Sequence, residues 1–138
     1  MRQYKFLGDY RLRAVFNQLM VSKLKSFRSS IVVIPVHPST IQRRGFNQVR
    51  GLCEGVQLLD CLKTRYETKK QRQSEKGRFQ RLKTEQPFEL IPEKASLITN
   101  QSVVIVDDVY TTGTTIRHAA SLLYRAGASS VSGLTLAR

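Results

Sequence analysis

The sequence predicts an α/β domain with a mainly parallel sheet flanked by helices. Two short apolar runs rich in β-branched residues, Ile31 to Val36 and Val103 to Val106, have the composition of strands that are buried on both faces. Segments with apolar residues at helical spacing lie between these runs and after the second one. Strands that alternate with helices are typical of parallel sheets, and ligands of such domains bind beyond the carboxyl ends of the strands.

The remaining elements follow from spacing and from end signals. Residues 9–22 form the first predicted helix, which opens with an aspartate that can cap it. Residues 47–62 form the second, and its first residue, Asn47, is well placed as a cap. The third runs from about Thr114 to Ala126 and is stopped by Gly127. Residues 131–136 are predicted as the third strand.

Length and composition argue against a membrane-spanning or a secreted protein. A chain of 138 residues fits one domain, which we expect to span residues 1–138. Hydrophobic residues make up 41% of the sequence, which is ordinary for a soluble globular protein. No apolar run approaches the roughly 20 residues that a membrane helix needs, and the N-terminus lacks the apolar stretch of a secretory signal. We therefore expect a cytoplasmic protein without membrane insertion.

The two cysteines indicate neither a disulfide nor a metal site. Cys53 and Cys61 lie within the second predicted helix, where they would be about 12 Å apart along the axis, too far for a disulfide. A four-ligand zinc site would need more cysteines or clustered histidines, and His37 and His118 each stand alone. Both cysteines are predicted to be reduced and to pack as small apolar residues.

The charge of the chain is large and uneven. Lys and Arg number 23 and Asp and Glu 10, which gives a net charge of +13. Residues 68–86 lack any periodicity and are rich in Lys, Arg and Gln, which predicts a long loop that is functional or disordered. The positive electrostatic potential of so basic a chain favours binding of polyanions, either nucleic acids or phosphorylated small molecules. A solvated basic face, or one that meets a protein partner, is the alternative.

The segment from Val103 to Thr115 carries the most specific chemistry. Its apolar strand delivers two adjacent acids, Asp107 and Asp108, to a hydroxyl-rich loop and the start of a helix. Backbone amides at a helix start bind anions, and Gly113 allows a positive φ or the close approach of a phosphate. Carboxylates accept hydrogen bonds from sugar hydroxyls or hold a divalent metal through water. Together these parts predict a site for a ribose 5-phosphate.

This segment resembles the phosphoribosyl pyrophosphate (PRPP) motif of type I phosphoribosyltransferases, with its four hydrophobic residues, two acids and small, threonine-rich loop. The sequence as a whole, from about residue 4 to its last residue, resembles the ComF-type late competence proteins. These are phosphoribosyltransferase-like proteins that bacteria need for DNA uptake in natural transformation. The segments that carry the resemblance are Tyr-Lys-Phe-Leu-Gly-Asp-Tyr (4–10), Ile-Pro-Val-His-Pro (34–38), Arg-Gly-Phe-Asn-Gln (44–48) and Thr-Leu-Ala-Arg (135–138).

The resemblance implies a type I phosphoribosyltransferase-like, Rossmann-like fold and a role for each matching residue. Asp107 and Asp108 would bind the ribose hydroxyls as the candidate catalytic residues. The full ribose-phosphate site would be Asp107, Asp108, Val109, Tyr110, Thr111, Thr112, Gly113, Thr114 and Thr115. The pyrophosphate site would be Val36, His37, Pro38 and Arg44, in the loop after the first strand. Mg²⁺ would bridge oxygens of PRPP, without a direct protein ligand. His37 is equally well explained as an exposed turn residue.

The basic loop 68–86 falls where type I phosphoribosyltransferases carry a mobile hood that closes over PRPP. Its bases would either clamp pyrophosphate or follow a nucleic-acid backbone while Phe79 stacks on a base. Both interpretations stay open. The residues concerned are Lys69, Lys70, Arg72, Lys76, Arg78 and Arg81.

Two functional hypotheses follow. We favour a PRPP-binding competence protein, which is either a Mg²⁺-dependent phosphoribosyltransferase with an unidentified acceptor or a non-catalytic adaptor that binds single-stranded DNA. The resemblance implies DNA-import helicase or recombination-mediator proteins as partners, and a homo-oligomer agrees with either hypothesis. Gram-positive members usually carry a four-cysteine zinc ribbon, and the sequence begins just after the point where that ribbon would end. No zinc is therefore expected in this chain.

Overall fold

The computed structural model describes residues 13–65 and 85–138. The first half contains α1 (Arg13–Ser26), β1 (Ser30–Val33), α2 (Pro38–Arg44), α3 (Gln48–Leu52) and β2 (Leu62–Thr64). The second half contains β3 (Phe88–Leu90), a 3-10 helix (Pro92–Leu97), β4 (Ser102–Val109), α4 (Thr114–Arg125) and β5 (Ser130–Ala137). The predicted start of the first helix lies outside the described residues, as do the matching segment 4–10 and most of the basic loop.

The main sheet is parallel, with β4 between β1 and β5. Val33 of β1 lies opposite Val106 of β4, and Asp107 of β4 lies opposite Thr135 of β5. The four residues Val103 to Val106 are no more than 2% exposed, as expected for a central parallel strand that is covered on both faces. The predicted α/β class with a mainly parallel sheet is confirmed.

Each face of the sheet has its own core, because side chains alternate along a strand. Val103 and Ile105 pack with residues of α4 on one face. Val104 and Val106 pack with residues of α1 and α3 on the other. We call these the α4 core and the α1 core. Their most deeply buried helical residues are Ala119 and Leu123 in the α4 core and Leu24 and Leu52 in the α1 core.

The predicted helix over residues 47–62 is wrong beyond Leu52. The chain turns at Gly55, whose φ is 96°, and then runs beside β1, where the amide of Leu59 donates to the carbonyl of Ile31 at 2.8 Å. Val56 and Leu59 had suggested one helical face, yet Val56 packs on the α1 core and Leu59 on the α4 core. Their apolar character reflects contacts with two different layers.

The two cysteine thiols are also divided between the α1 core and the α4 core. Cys53 is buried in the α1 core and Cys61 in the α4 core, and neither forms a disulfide. Burial raises the pKa of each thiol to about 11, so both stay protonated near neutral pH. The prediction of reduced, apolar cysteines is confirmed, although the segment between them is not helical.

A second, smaller sheet pairs β2 with β3 in antiparallel fashion. Its open end is held by the amide of Arg65, which donates to the carbonyl of Pro87 at 2.9 Å. The residues that flank the basic segment, at the end of β2 and before β3, therefore lie side by side. Of the helices in the two described ranges, none has both the length and the apolar character to cross a membrane.

Candidate functional site

Asp107 and Asp108 lie at the carboxyl edge of the sheet but within the strand, since β4 extends to Val109. Alternation along the strand directs Asp107 to the side of the α4 core and Asp108 to the side of the α1 core. Asp107 is half-buried and Asp108 is only 5% exposed. The amide of Asp108 donates to Oδ1 of Asp107 at 2.9 Å, which fixes that carboxylate against its own backbone. The two acids thus occupy different environments.

The turn between β4 and α4 begins where the pairing with β5 ends. The amide of Tyr110 donates to the carbonyl of Ala137 at 2.9 Å, and Thr111 and Thr112 follow as exposed residues. Gly113 is buried at the N-cap of α4 with φ 74°. This left-handed conformation is costly for any residue with a Cβ, and its prediction for Gly113 is confirmed. A glycine cap also has no side chain to occupy the first amides of the helix.

Hydroxyl groups gather around these amides. Oγ1 of Thr112 and Oγ1 of Thr114 lie 2.8 Å apart, and the amide of Thr114 makes a long contact of 3.4 Å with Thr112 Oγ1. Thr111, Thr112 and Thr115 are exposed and Thr114 is half-buried. Neutral donors therefore surround the positive end of the α4 dipole, an arrangement that suits an anion.

Tyr110 folds back over Gly113. A Cβ placed on Gly113 would lie 2.5 Å from the Tyr110 hydroxyl oxygen and 2.7 Å from the nearest ring carbon, Cζ. The ring nevertheless stays 39% exposed. The positive φ of Gly113 therefore favours glycine here, and a larger residue would also have to displace the exposed Tyr110 ring. The sequence shows that a tyrosine is present but not the direction in which its side chain points.

Arg117 is a site residue that the sequence analysis missed. Its Nη2 donates to the carbonyl of Thr112 at 2.9 Å, which binds the turn and brings a cation next to it. Helical side chains lean toward the helix N-terminus, so the fourth residue after an N-cap reaches back to the preceding turn. An arginine at that position, counted from Gly113, is the signal that could have identified it.

The segment that follows β1 emerges beside the same edge. The amide of Ile34 donates to the carbonyl of Val106 at 3.2 Å, so Val36 and His37 leave the sheet next to the acid pair. Both residues lie in the loop after β1, as predicted, and α2 begins directly after them, with His37 as its N-cap and Pro38 at its first position. The amide of Ser39 donates to Nδ1 of His37 at 3.2 Å.

Arg44 was predicted in the loop that would face pyrophosphate, and its assignment to a loop is wrong. It is the last residue of α2, half-buried, and Gly45 with φ 79° ends the helix after it. The helix separates Arg44 from His37 by about 10 Å along its axis. Asn47, by contrast, caps α3 as predicted, accepting from the amides of Val49 and Arg50 at 2.9 and 3.2 Å.

The basic residues proposed for a hood or a nucleic-acid contact lie outside the described residues. These are Lys69, Lys70, Arg72, Lys76, Arg78 and Arg81. The described end of that segment is attached to α4, since Nε2 of Gln86 donates to the carbonyl of His118 at 2.8 Å. His118 itself is half-buried.

The donor set for a divalent cation is small. Within residues 13–65 and 85–138, no three His, Cys, Asp or Glu side chains cluster as metal ligands. Asp107 and Asp108 do supply the hard oxygen atoms that Mg²⁺ prefers. A Mg²⁺ ion at this edge would therefore fit only if a bound ligand and water supplied most of its coordination.

Relatives and solved structures extend these observations. Competence protein ComFC of Streptococcus pneumoniae is 41% identical over 139 residues, which cover 99% of this chain and 60% of the relative. Competence protein ComFC of Bacillus subtilis is 30% identical over 146 residues, which cover 99% of this chain and 57% of the relative. The chain thus spans about three fifths of the length of these curated relatives. Its resemblance to ComF-type proteins is confirmed.

Among solved structures, glutamine PRPP amidotransferase of Bacillus subtilis matches with a TM-score of 0.52 at 18% identity, over 91% of this chain and 26% of that chain. At this identity the likeness concerns the fold alone, and it agrees with the predicted type I phosphoribosyltransferase-like architecture. The family model for the phosphoribosyl transferase domain matches residues 16–138. The strand, acid pair, turn and helix described above lie inside that match, and the chain belongs to the phosphoribosyl transferase domain family.

Proposed function

We propose that this chain binds PRPP at the carboxyl edge of its sheet and acts in bacterial competence in the cytoplasm. The observation that carries the proposal is the turn from β4 to α4. It places two carboxylates, Asp107 and Asp108, next to a helix start whose N-cap, Gly113, has no side chain. Acceptors for hydroxyl groups and donors for an anion then lie within one short segment. A sugar phosphate needs both.

Charge determines which part of the ligand goes where. A phosphate is repelled by Asp107 and Asp108, so it belongs at the other end of the turn, at the amides and hydroxyls of residues 111–115. The α4 dipole and the Arg117 guanidinium, held 2.9 Å from the Thr112 carbonyl, make that end positive. The ribose then lies at the acid end of the turn, where its hydroxyls donate charge-assisted hydrogen bonds to the carboxylate oxygens that the ligand can reach.

The pyrophosphate of PRPP would extend toward the segment after β1, which emerges next to the acid pair. Backbone amides near Val36 are the candidate donors there, since the His37 side chain already accepts from Ser39. Mg²⁺, when bound with PRPP, would neutralise the phosphate oxygens and favour departure of pyrophosphate. The protein's own part would be to orient the ribose and to stabilise positive charge that develops at its anomeric carbon.

The role in competence is supported by the two relatives, both named competence protein ComFC, which this chain matches over nearly its whole length. A role in DNA uptake does not require catalysis. The domain can bind PRPP as a ligand whether or not it transfers the phosphoribosyl group to an acceptor. A net charge of +13 also favours polyanionic partners such as single-stranded DNA.

The test is calorimetry with PRPP and Mg²⁺ on the wild type and on the double variant Asp107→Asn/Asp108→Asn. Each lost hydrogen bond to a charged group weakens binding by about 1.5–3 kcal/mol. We therefore expect an affinity loss of at least about 100-fold for the pair. Glu93→Gln, an exposed acid of the 3-10 helix, is the matched control and should bind as the wild type does.

Circular dichroism of the double variant checks that it remains folded. If the folded double variant bound PRPP with wild-type affinity, the proposed site would be wrong. Pyrophosphate release, measured with a panel of nucleobases, then separates a transferase from a domain that only binds PRPP.

A further inference from the structure

A groove of about 620 Å³ lies at the amino edge of the sheet, the edge opposite the acid pair. It forms where the end of α1, the start of β1 and residues 56–59 meet, next to Gln101 at the entrance to β4. Ser102 and Asp107 are separated by roughly 17 Å along β4. A ligand in this groove would therefore make no contact with one at the carboxyl edge, so the groove is independent of the proposed PRPP site.

The floor of the groove is apolar. Leu24 and Ile31 are buried members of the α1 core that also line it, and Phe27 is half-buried beside them. Leu97, at the end of the 3-10 helix, is 51% exposed and packs in neither core. Aliphatic surface that stays exposed at the mouth of a groove can be buried by a partner.

The rim is cationic. Lys25 and Arg28 line the groove, and none of the described residues that line it is Asp or Glu. Lys23 adds a third positive charge nearby, with Nζ 5.5 Å from the centre of the Phe27 ring. An apolar floor with a rim of one sign selects a ligand that combines aliphatic side chains with negative charges.

We propose that this groove docks an acidic, aliphatic peptide segment of a partner protein. Its aliphatic side chains would cover the exposed Leu97 and pack on the half-buried Phe27 and Leu58. Its carboxylates would pair with Lys25 and Arg28. The volume lies within the range of specific ligand cavities. A nucleic acid is a poorer match, because the only aromatic ring among the described residues that line the groove, Phe27, is half-buried and already faces Lys23. Base stacking needs an accessible ring.

The experiment uses a labelled synthetic peptide in which leucine pairs alternate with glutamate pairs. Fluorescence anisotropy gives its affinity, and ¹⁵N chemical shifts of the full chain locate it. We expect shifts confined to the amino edge, in residues 24–31, 56–59 and 97–101. The charge reversal Lys25→Glu/Arg28→Glu should weaken binding at least about tenfold, and Leu97→Ser on the order of fivefold.

Lys94→Glu is the matched control, since it reverses an exposed charge in the same 3-10 helix without lining the groove. It should change the affinity less than about twofold. Equal binding of a peptide with serine in place of leucine would overturn the proposal, because attraction to a chain of net charge +13 would then suffice. Shifts outside the amino edge would overturn it too, as would displacement of the peptide from the groove by an oligonucleotide of mixed sequence.

Discussion

The turns after β1 and β4 both lead from a parallel strand into a helix at the same edge of the sheet. They differ in whether a side chain caps the first backbone amides of that helix. After β1, His37 caps α2 with its own side chain, and Pro38 has no amide hydrogen to satisfy. After β4, Gly113 caps α4 without a side chain and with φ 74°. The His37 side chain caps the start of α2, whereas the start of α4 has only neighbouring hydroxyls beside its first amides.

This difference agrees with the proposal that the turn before α4, and not the start of α2, holds the phosphate of a ligand. A side-chain cap stabilises a helix by about 1 kcal/mol, so α2 begins in the way that favours folding. The turn before α4 does without such a cap and adopts a conformation that few residues tolerate. A turn that sacrifices local stability in this way is typical of a ligand site. Three substitutions test the comparison.

The largest effect is expected for Gly113→Ala. A Cβ in the left-handed region costs about 1–2 kcal/mol, and at this position it also displaces the Tyr110 ring, whose hydroxyl would be 2.5 Å away. We expect the free energy of unfolding to fall by about 1–2 kcal/mol and the PRPP affinity by at least about tenfold. Thermal denaturation and calorimetry measure the two quantities.

Gly45→Ala is the control, because Gly45 has a similar φ of 79° with nothing within 4 Å of the added Cβ. It should lose stability to the same extent but keep its affinity for PRPP. If both variants bound PRPP equally well, the turn before α4 would not differ from the end of α2 in any way that concerns a ligand.

A smaller effect is expected for Arg117→Gln. The substitution removes the positive charge and shortens the reach to the Thr112 carbonyl, now contacted at 2.9 Å. We expect PRPP affinity to fall about threefold to tenfold while the midpoint of thermal unfolding changes little, since the bond is exposed. Arg117→Lys should recover part of the affinity.

Arg125→Gln, at the other end of the same helix and exposed, controls for loss of one positive charge in α4. An equal loss of affinity in both variants would show that Arg117 acts only through the general field of the protein.

The smallest effect is expected for His37→Ala, which removes the cap of α2. Loss of an N-cap costs about 1 kcal/mol, equivalent to roughly 3–5 °C in the unfolding midpoint of a domain of this size. His37→Asn should restore that stability, since asparagine is a good cap. A loss of PRPP affinity shared by both variants would instead assign the imidazole to pyrophosphate, the role that the resemblance implies.

Local patterns were sufficient to predict the buried strands, the acid pair and the glycine turn, because each depends on neighbours in sequence. The parallel pairing followed from the alternation of strands with helices. The helix predicted after Asn47 failed at Leu52 because packing on two layers can mimic helical spacing, as Val56 and Leu59 show. Arg44 was misplaced because nothing in the sequence announced α2 so soon after a strand. Tyr110 and Arg117 depend on side-chain direction, which spacing alone leaves open. The groove brings together three separated parts of the chain, and only the folded structure shows it.

The position of one thiol in each core has a practical consequence. Cys53 is 1% exposed on the side of α1, and Cys61 is fully covered on the side of α4. A cysteine reagent can modify either one only after the layer above it separates from the strands. The relative labelling rates of the two positions therefore report, without any mutation, which of the two helical layers detaches first when the domain opens.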